Sequence, residues 1–389
     1  MKTIQIVGDS KFGGATYLLI EWCRYLLNKG VEVHALTTDE PTIEQLIEIP
    51  GLHIMADVLI PREISPLKIV RAAFALRSLL KQEEYDVLHT YSSTPGFLGR
   101  IVGKFSPVPV VMHHQAGFPV SEFSSRAHRL IFGRLESMAI NAATKSICVS
   151  HAVMEQSKTL GIGRADKLVT ICNGIDIEPW ELAARDVDRL AFCKEIDVDP
   201  DTLLIAATGR LADQKGLPYL LRALPQIREG LAETPVVVVL AGEGPAREQL
   251  EAIIEELSLQ NNVRMLGFRR DVPRIVAACD IFCSPSLWEG LSISIMEAMA
   301  AQKPIVTTDI LPNAELIDDG ETGLLVKARE VDGLAAAIVR MATDSALADA
   351  CVKAAHTKVR REYTIKRMFD ETWDLYNQLL DEASARTRN

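Results

Sequence analysis

Apolar positions along this chain alternate between two periods. Short apolar runs, of the kind that make strands buried on both faces, alternate with longer stretches whose apolar residues recur at helical spacing. In the first half the runs fall at residues 4–7, 31–36, 87–89, 108–112, 145–149 and 168–171. Helical spacing occupies the stretch up to Asn28-Lys29-Gly30, then 66–81, 96–104 and 121–141. The second half repeats the scheme, with runs at 203–207, 235–241, 263–266, 281–283, 304–307 and 323–326. A short helix is expected over 271–278, and a helical tail from Tyr363 to about Ala383 carries Ile365, Met368, Phe369, Trp373 and Tyr376. Strand and helix in strict alternation predict an α/β chain with parallel sheets.

With 389 residues the chain exceeds one ordinary core and fits two such domains. No apolar run approaches the roughly 18–20 residues that span a bilayer, and the amino terminus enters a strand without a signal-peptide core. A cytoplasmic protein is expected. Seven cysteines without a C-x-x-C pair read as reduced core thiols. No His/Cys cluster has metal-ligand spacing, so no metal is expected. Net charge is −10, yet residues 1–173 carry 18 Lys/Arg against 16 Asp/Glu, while 174–389 carry 24 against 36. The acidic second half argues against nucleic acid. The basic first half permits contact with an anionic acceptor or membrane. Between them, residues 181–201 hold three D-x-D patterns, at Asp186/Asp188, Asp197/Asp199 and Asp199/Asp201. They lie in a polar, linker-like stretch and read as solvated.

One stretch organises the rest. Residues 284–300 read S-P-S-L-W-E-G-L-S-I-S-I-M-E-A-M-A, a run-turn-helix unit in which Ser292 stands where the helix begins. Unpaired N–H groups and the helix dipole favour an anion at such a start, phosphate above all. Glu289 precedes it, and Glu297 lies about 7–8 Å further along the axis at about 1.5 Å per residue. A diphosphate here could have a carboxylate near each end, one for the hydroxyls of a sugar and one for those of a ribose. Carboxylates beside phosphates require cations, and T-G-R-L-A-D-Q-K-G-L offers Arg210 and Lys215.

The pair Glu289-x7-Glu297 within W-E-G-L-S-I-S-I-M-E-A-M-A resembles the signature of retaining, family 4-like glycosyltransferases of the GT-B fold. Nearly the whole chain follows that family's order of motifs. The resemblance implies two Rossmann-like domains facing a central cleft: residues 1–173 on the acceptor side, 174–362 binding the nucleotide-sugar, and a helix, 363–389, returning to the first domain. It assigns Arg210 and Lys215 to the diphosphate, Glu297 to the ribose and Glu289 to the donor sugar. Gly13 and Gly14 would approach the donor phosphates, with Gly290, Leu291 and Ser292 at the helix start. Gly242 and Glu243 would line the donor site, and Phe268 and Arg269, after Gly267, would accommodate the base largely through backbone groups. The implied reaction moves a hexosyl unit from a UDP-sugar, favoured over a GDP-sugar, to a glycan, lipid-linked or small hydroxyl acceptor, without a metal. The leaving phosphate would take the acceptor's proton on the same sugar face. Basic, amphipathic helices such as 121–141, with Arg126, Arg129 and Arg134, serve similar enzymes as membrane contacts.

Two departures stand out. Where bacterial polysaccharide-building members carry a lysine, this chain has Thr94 or Pro95; and Ala116 occupies the place of a histidine before Gly117-Phe118. His114, or Gln115, is the candidate to reach that spot, and His114 is the first domain's candidate catalytic residue. Two other functions share the scaffold: a sugar-nucleotide 2-epimerase, and a non-catalytic binding partner.

Overall fold

A computed structural model describes residues 1–8, 14–60, 65–118 and 125–388. The chain divides into two compact units, Met1–Cys172 with Met368–Asn389, and Asn173–Arg367.

The first unit is built on a seven-stranded parallel sheet: β1 (Lys2–Gly8), β2 (Glu32–Thr37), β3 (His53–Met55), β4 (Val87–Thr90), β5 (Val110–Gln115), β6 (Lys145–Cys148) and β7 (Leu168–Thr170), in the order β3-β2-β1-β4-β5-β6-β7. Its helices are α1 (Gly14–Asn28), α2 (Glu40–Ile47), α3 (Pro66–Gln82), α4 (Ser93–Lys104), α5 (Arg126–Ala142) and α6 (His151–Leu160). The chain winds outward from β1 to β3, then restarts at β4 on the other side of β1. Right-handed crossovers therefore place α1 and α2 on one face and α3 to α6 on the other. Ile4, Ile6, Leu76, Leu80, Leu88 and Val111 fill part of the core between. Helix α4 lies close on the sheet because it presents glycines there: a Cβ on Gly96 would fall 2.3 Å from the His113 ring, and one on Gly99 2.4 Å from Thr90. Ser150 caps α6, its hydroxyl accepting from the Val153 N–H at 3.0 Å.

Strand β5 is longer than its apolar run. It continues to Gln115 because both neighbours pair with it, Thr90 opposite His113 and Cys148 opposite Gln115. Its polar end, His113-His114-Gln115, is buried and finds partners inside the unit, which hydropathy alone does not foresee.

The second unit carries β8 (Leu203–Thr208), β9 (Val236–Ala241), β10 (Val263–Gly267), β11 (Ile281–Ser284), β12 (Ile305–Thr308) and β13 (Leu324–Val326), parallel, in the order β10-β9-β8-β11-β12-β13. Its helices are α7 (Glu178–Asp186), α8 (Arg189–Glu195), α9 (Leu217–Gly230), α10 (Arg247–Glu256), α11 (Val272–Ala278), α12 (Ile293–Ala300), α13 (Leu311–Leu316), α14 (Val331–Thr343), α15 (Ser345–Glu362) and the start of α16 (Ile365–Arg388). Two expectations need correction. The supposed linker at 181–201 folds into most of α7, anchored by the buried Trp180, and into α8, anchored by the fully buried Phe192 and Cys193. Asp188 accepts from the Ala191 N–H as the cap of α8, Asp186 pairs with Arg185, and Asp197, Asp199 and Asp201 are exposed. The supposed loop from Asn313 contains α13, which begins with Pro312 in its first turn. Helices α14 and α15 fill a stretch for which the apolar pattern raised no expectation.

From Met368 onward α16 belongs to the first unit. Its apolar stripe packs on α1: the Trp22 ring lies 5.1 Å from Phe369 and 5.4 Å from Tyr376. All seven cysteines are buried and none is in a disulfide, as their apolar surroundings predict. Among the described residues no helix is long and apolar enough to cross a membrane.

Candidate active site

In open parallel sheets the crevice for ligands lies beyond the carboxyl ends of the strands, where the strand order reverses. In the second unit that point falls between β8 and β11. Arg210 and Lys215 follow β8, and Glu289 follows β11.

The loops at this rim approach through glycine. Gly216 has φ +60°, and a Cβ there would lie 2.0 Å from the Pro285 carbonyl oxygen. The Leu287 N–H donates to the Gln214 carbonyl at 2.7 Å. Together these bolt the turn Asp213–Lys215 to the loop before α12. On the other side Gly242, φ +153°, sits so close to Gly209 that a Cβ would meet its carbonyl at 1.8 Å. The Gly242 N–H donates to Gly267 at 2.8 Å, joining the rims of β9 and β10.

Within this frame Glu289 is held by three donors. Lys215 Nζ lies 2.7 Å from Oε1, Ser286 Oγ donates to the same oxygen at 2.8 Å, and Gln214 Nε2 donates to Oε2 at 3.0 Å. The glutamate side chain is 7% exposed and the lysine 19%. Removing either would leave a mostly buried charge without its partner. Gln214 and Ser286 were not among the residues singled out from the sequence; the signal available was only their place beside Lys215 and two residues after Ser284. Behind them, Thr307 Oγ1 donates to the Ser284 carbonyl at 2.6 Å, Thr308 Oγ1 donates to the Ser286 carbonyl, and Asn313 Nδ2 donates to Thr307 Oγ1 at 2.9 Å. This fixes the backbone from which Ser286 reaches Glu289.

Ser292 stands at the cap position of α12 but forms no side-chain capping bond. Its hydroxyl pairs with that of Ser294 at 3.2 Å, leaving the first-turn N–H groups to other partners. Leu291 is buried beside it. Glu297, on the first turns of α12, is partly buried. Desolvation pushes its carboxyl up to about 7, against the opposing pull of the Lys215 ammonium. Lys215 thus acts on both glutamates.

Arg210 is exposed and pairs with no carboxylate among the described residues. Arg269 differs: its guanidinium binds Asp271 at 2.7 Å and Glu195 at 2.8 Å, holding Asp271 down to about 2. Its side chain, 23% exposed, is already engaged by these two carboxylates. Phe268 is 61% exposed. Glu243 pairs with Arg247 at 2.6 Å.

In the first unit, Gly14 is the exposed first residue of α1, and Gly13 lies outside the described residues. His114 is in the last turn of the pleat of β5, 8% exposed, its ring 5.6 Å from Tyr91. Gln115 donates to the Gly117 carbonyl and receives Arg100 Nη1 at 3.4 Å. Pro95 has a structural use: a Cβ on Gly8 would fall 2.5 Å from its ring, so the proline closes on the end of β1.

Two parallel α/β units of this topology, one with an anion-favouring helix start at its switch point, define the GT-B transferase class. Residues 189–358 match the family of glycosyl transferases group 1, and residues 12–179 match Glycosyltransferase Family 4. Over 317 residues, 81% of each chain, the sequence is 31% identical to the UDP-Gal:alpha-D-GlcNAc-diphosphoundecaprenol alpha-1,3-galactosyltransferase of Escherichia coli. A glycosyltransferase from Rickettsia africae ESF-5 superposes with TM-score 0.80 at 20% identity, covering 97% of this chain and 98% of that one. Anabaena HepE in complex with UDP-glucose does so with TM-score 0.80 at 21%, covering 97% and 100%. The chain belongs to the family 4-like glycosyltransferases of the GT-B fold.

Proposed function

We propose that this glycosyltransferase is a retaining hexosyltransferase that takes its sugar from a UDP-sugar and delivers it to a hydroxyl of a lipid-linked or growing glycan, at the cytoplasmic side of a membrane. The observation that carries the reading is the grouping of Lys215, Glu289 and Glu297 around the uncapped start of α12. Arg210 and Lys215 hold the donor diphosphate at that start, where they offset the charge that grows on the leaving group. With the phosphates bound, the Lys215 ammonium is shared between them and Glu289. Glu289 is then oriented by Gln214 and Ser286 and accepts from the sugar hydroxyls. Glu297 accepts from the ribose, and the backbone at Gly267-Phe268-Arg269 receives the base. Gly242 lets that rim approach the donor, and Gly14 serves the same purpose in the first unit. His114 is the first unit's contact with the sugar. The leaving phosphate takes the acceptor's proton, and no metal takes part.

The galactosyltransferase relative supports the donor and acceptor classes: its name pairs a UDP-sugar with a polyprenol-diphosphate sugar and an alpha linkage. An α-linked product from an α-linked donor is the outcome of retention. The test is incubation of the chain with radiolabelled UDP-hexoses and an undecaprenyl-diphosphate-linked sugar, with and without EDTA, and assignment of the product anomer by NMR. An α-linked product formed equally in chelator bears out the reading. A β-linked product refutes retention, loss of activity in chelator refutes metal independence, and a converted donor without transfer would make the protein an epimerase.

A further inference from the structure

Four ionised side chains close a ring beside the carboxyl end of β10. Glu195, the last residue of α8, meets Arg269 Nη1 at 2.8 Å through Oε1 and Arg274 Nη2 at 2.7 Å through Oε2. Asp271 completes the circuit. It accepts from Arg269 Nε and Nη2, each at 2.7 Å, and from Arg274 Nη1 at 3.2 Å. Two carboxylates and two guanidiniums cancel in charge, and the side chains are 23–37% exposed. An aspartate at the start of a helix ordinarily caps it. Asp271 stands at the cap position of α11 but gives that helix no side-chain bond; its oxygens serve the ring instead. The ring is also anchored from behind. Arg264, on β10, donates to the carbonyls of Ile196 and Asp197 at 2.8 and 2.9 Å, and the Arg274 guanidinium lies 5.5 Å from the buried Phe192 ring. Helix α8, which carries no residue of the site, thus grips the turn from Gly267 to Asp271.

We propose that Glu195 and Arg274 are positioning residues for recognition of the nucleotide base, acting through the turn that they hold. The proposal rests on the reading that the backbone at Gly267-Phe268-Arg269 receives the base. Strands in the order β10-β9-β8 lie about 4.8 Å apart, so that turn starts about 10 Å from the diphosphate end of β8. The span suits a ribose and its base. A main-chain N–H or carbonyl cannot swing to follow a ligand as a side chain can, so backbone recognition works only while the turn keeps its place. The Gly242 N–H pins Gly267 at the strand end, and the ring pins Arg269 and Asp271 further on. Phe268, between the two holds, is 61% exposed, so its side chain supplies no anchor. Bidentate guanidinium–carboxylate pairs fix direction as well as distance, which is what such a hold requires. Being neutral as a whole, the ring orders the turn without adding a field that attracts or repels the phosphates.

The experiment is calorimetry of the full chain with UDP and with inorganic pyrophosphate, for the wild type, Glu195→Gln and Arg274→Gln, followed by donor kinetics. Each substitution should weaken UDP about tenfold, the scale of one hydrogen bond to the base, and leave pyrophosphate at its wild-type affinity. In turnover the loss should fall on KM for the UDP-sugar rather than on kcat. The sign separates positioning from charge. A field acting on the phosphates would move the two variants in opposite directions, the lost acid strengthening both anions and the lost cation weakening both. Opposite shifts, UDP at wild-type affinity in both variants, or pyrophosphate weakened as much as UDP would each overturn the proposal. Wild-type protein that binds pyrophosphate as tightly as UDP would instead sink the base-binding reading itself, and the proposal with it, whatever the variants do.

Discussion

The two units share a topology and differ in how they fill the equivalent place. Each has a parallel sheet whose strand order reverses, between β1 and β4 in the first and between β8 and β11 in the second. Beyond β8 and β11 the second unit places ions, with Lys215 against Glu289 and Glu297 alongside. On β1, β4 and β5, and directly after β4, the first unit places neutral polar groups: Gln5, His89, His113 and Tyr91. Burial pushes His89 and His113 well below the ordinary histidine range, so these imidazoles stay uncharged. The first unit's buried ion pair, Arg100 with Glu136, joins α4 to α5 instead. Topology fixes where a crevice lies; the side chains decide whether it attracts an anion. The two ion pairs should therefore respond differently to being broken.

Arg100→Met offers the sharpest contrast. It strands Glu136 in the interior, and the urea midpoint should show a loss of about 3–5 kcal/mol, while UDP affinity per folded molecule is unchanged. A double variant, Arg100→Met with Glu136→Leu, should recover most of the loss. Lys215→Ala should show the reverse balance. Turnover should fall by about 10²–10³, with a smaller change in stability because Gln214 and Ser286 still donate to Glu289. If Lys215→Ala altered stability alone, the pair would be structural in both units and the contrast would dissolve.

These differences were unevenly legible. Most strands could be read from apolar runs, because a strand buried on both faces is mostly apolar along its length; their order in the sheets could not. Lys215, Glu289 and Glu297 could be read because the helix start, the carboxylates and the cations imply one another chemically. Their supports could not. Gln214 and Ser286 reach Glu289 only because Gly216 brings two distant loops together, and no local pattern records that approach. The acidic stretch at 181–201 misled for a related reason: its many exposed acids hid the few residues, Phe192 and Cys193, that anchor α8. Likewise α3 gave a good helix from its spacing, but the exposure of Leu67, Val70 and Phe74 depends on which face the sheet covers.

Glu297 sharpens the comparison through pH. Its carboxyl titrates near 7 in the folded chain and near its ordinary value, about 4.5, when unfolded. Between these values the folded state holds the proton that the unfolded state has lost. Stability should therefore fall as pH rises from about 4.5 to 7, by up to about 3 kcal/mol, and stay flat above. Glu297→Gln should abolish that slope and leave the variant more stable than wild type above pH 7. The same replacement should weaken UDP by about 1–3 kcal/mol, the scale for hydrogen bonds to a charged group. Wild-type affinity should also strengthen as the carboxylate forms. Urea midpoints and calorimetry across this range check both, and parallel pH profiles for the two proteins would remove Glu297 from the site.

The smallest effect belongs to the neutral network, and it follows from counting protons. Tyr376, on α16, lies with its hydroxyl 3.2 Å from Trp22 Nε1, 3.4 Å from Gln5 Nε2 and 2.7 Å from His89 Nδ1. Trp22 and Gln5 can only donate there, so the hydroxyl accepts from both and gives its own proton to His89 Nδ1. That puts the imidazole proton on Nε2, which is buried and has no partner among the described residues. Tyr376→Phe removes one acceptor and one donor at once, strands the Trp22 and Gln5 N–H groups, and should cost about 1–2 kcal/mol in the urea midpoint. A neutral network predicts that this cost is the same from pH 6 to 8, where Glu297 completes its titration. A cost that shrank toward low pH would mean that His89 takes up a second proton once Tyr376 no longer reaches Nδ1, since the folded variant would then bind a proton that burial denies to the wild type. The division between an ionised rim in one unit and a neutral one in the other would then depend on a single hydroxyl.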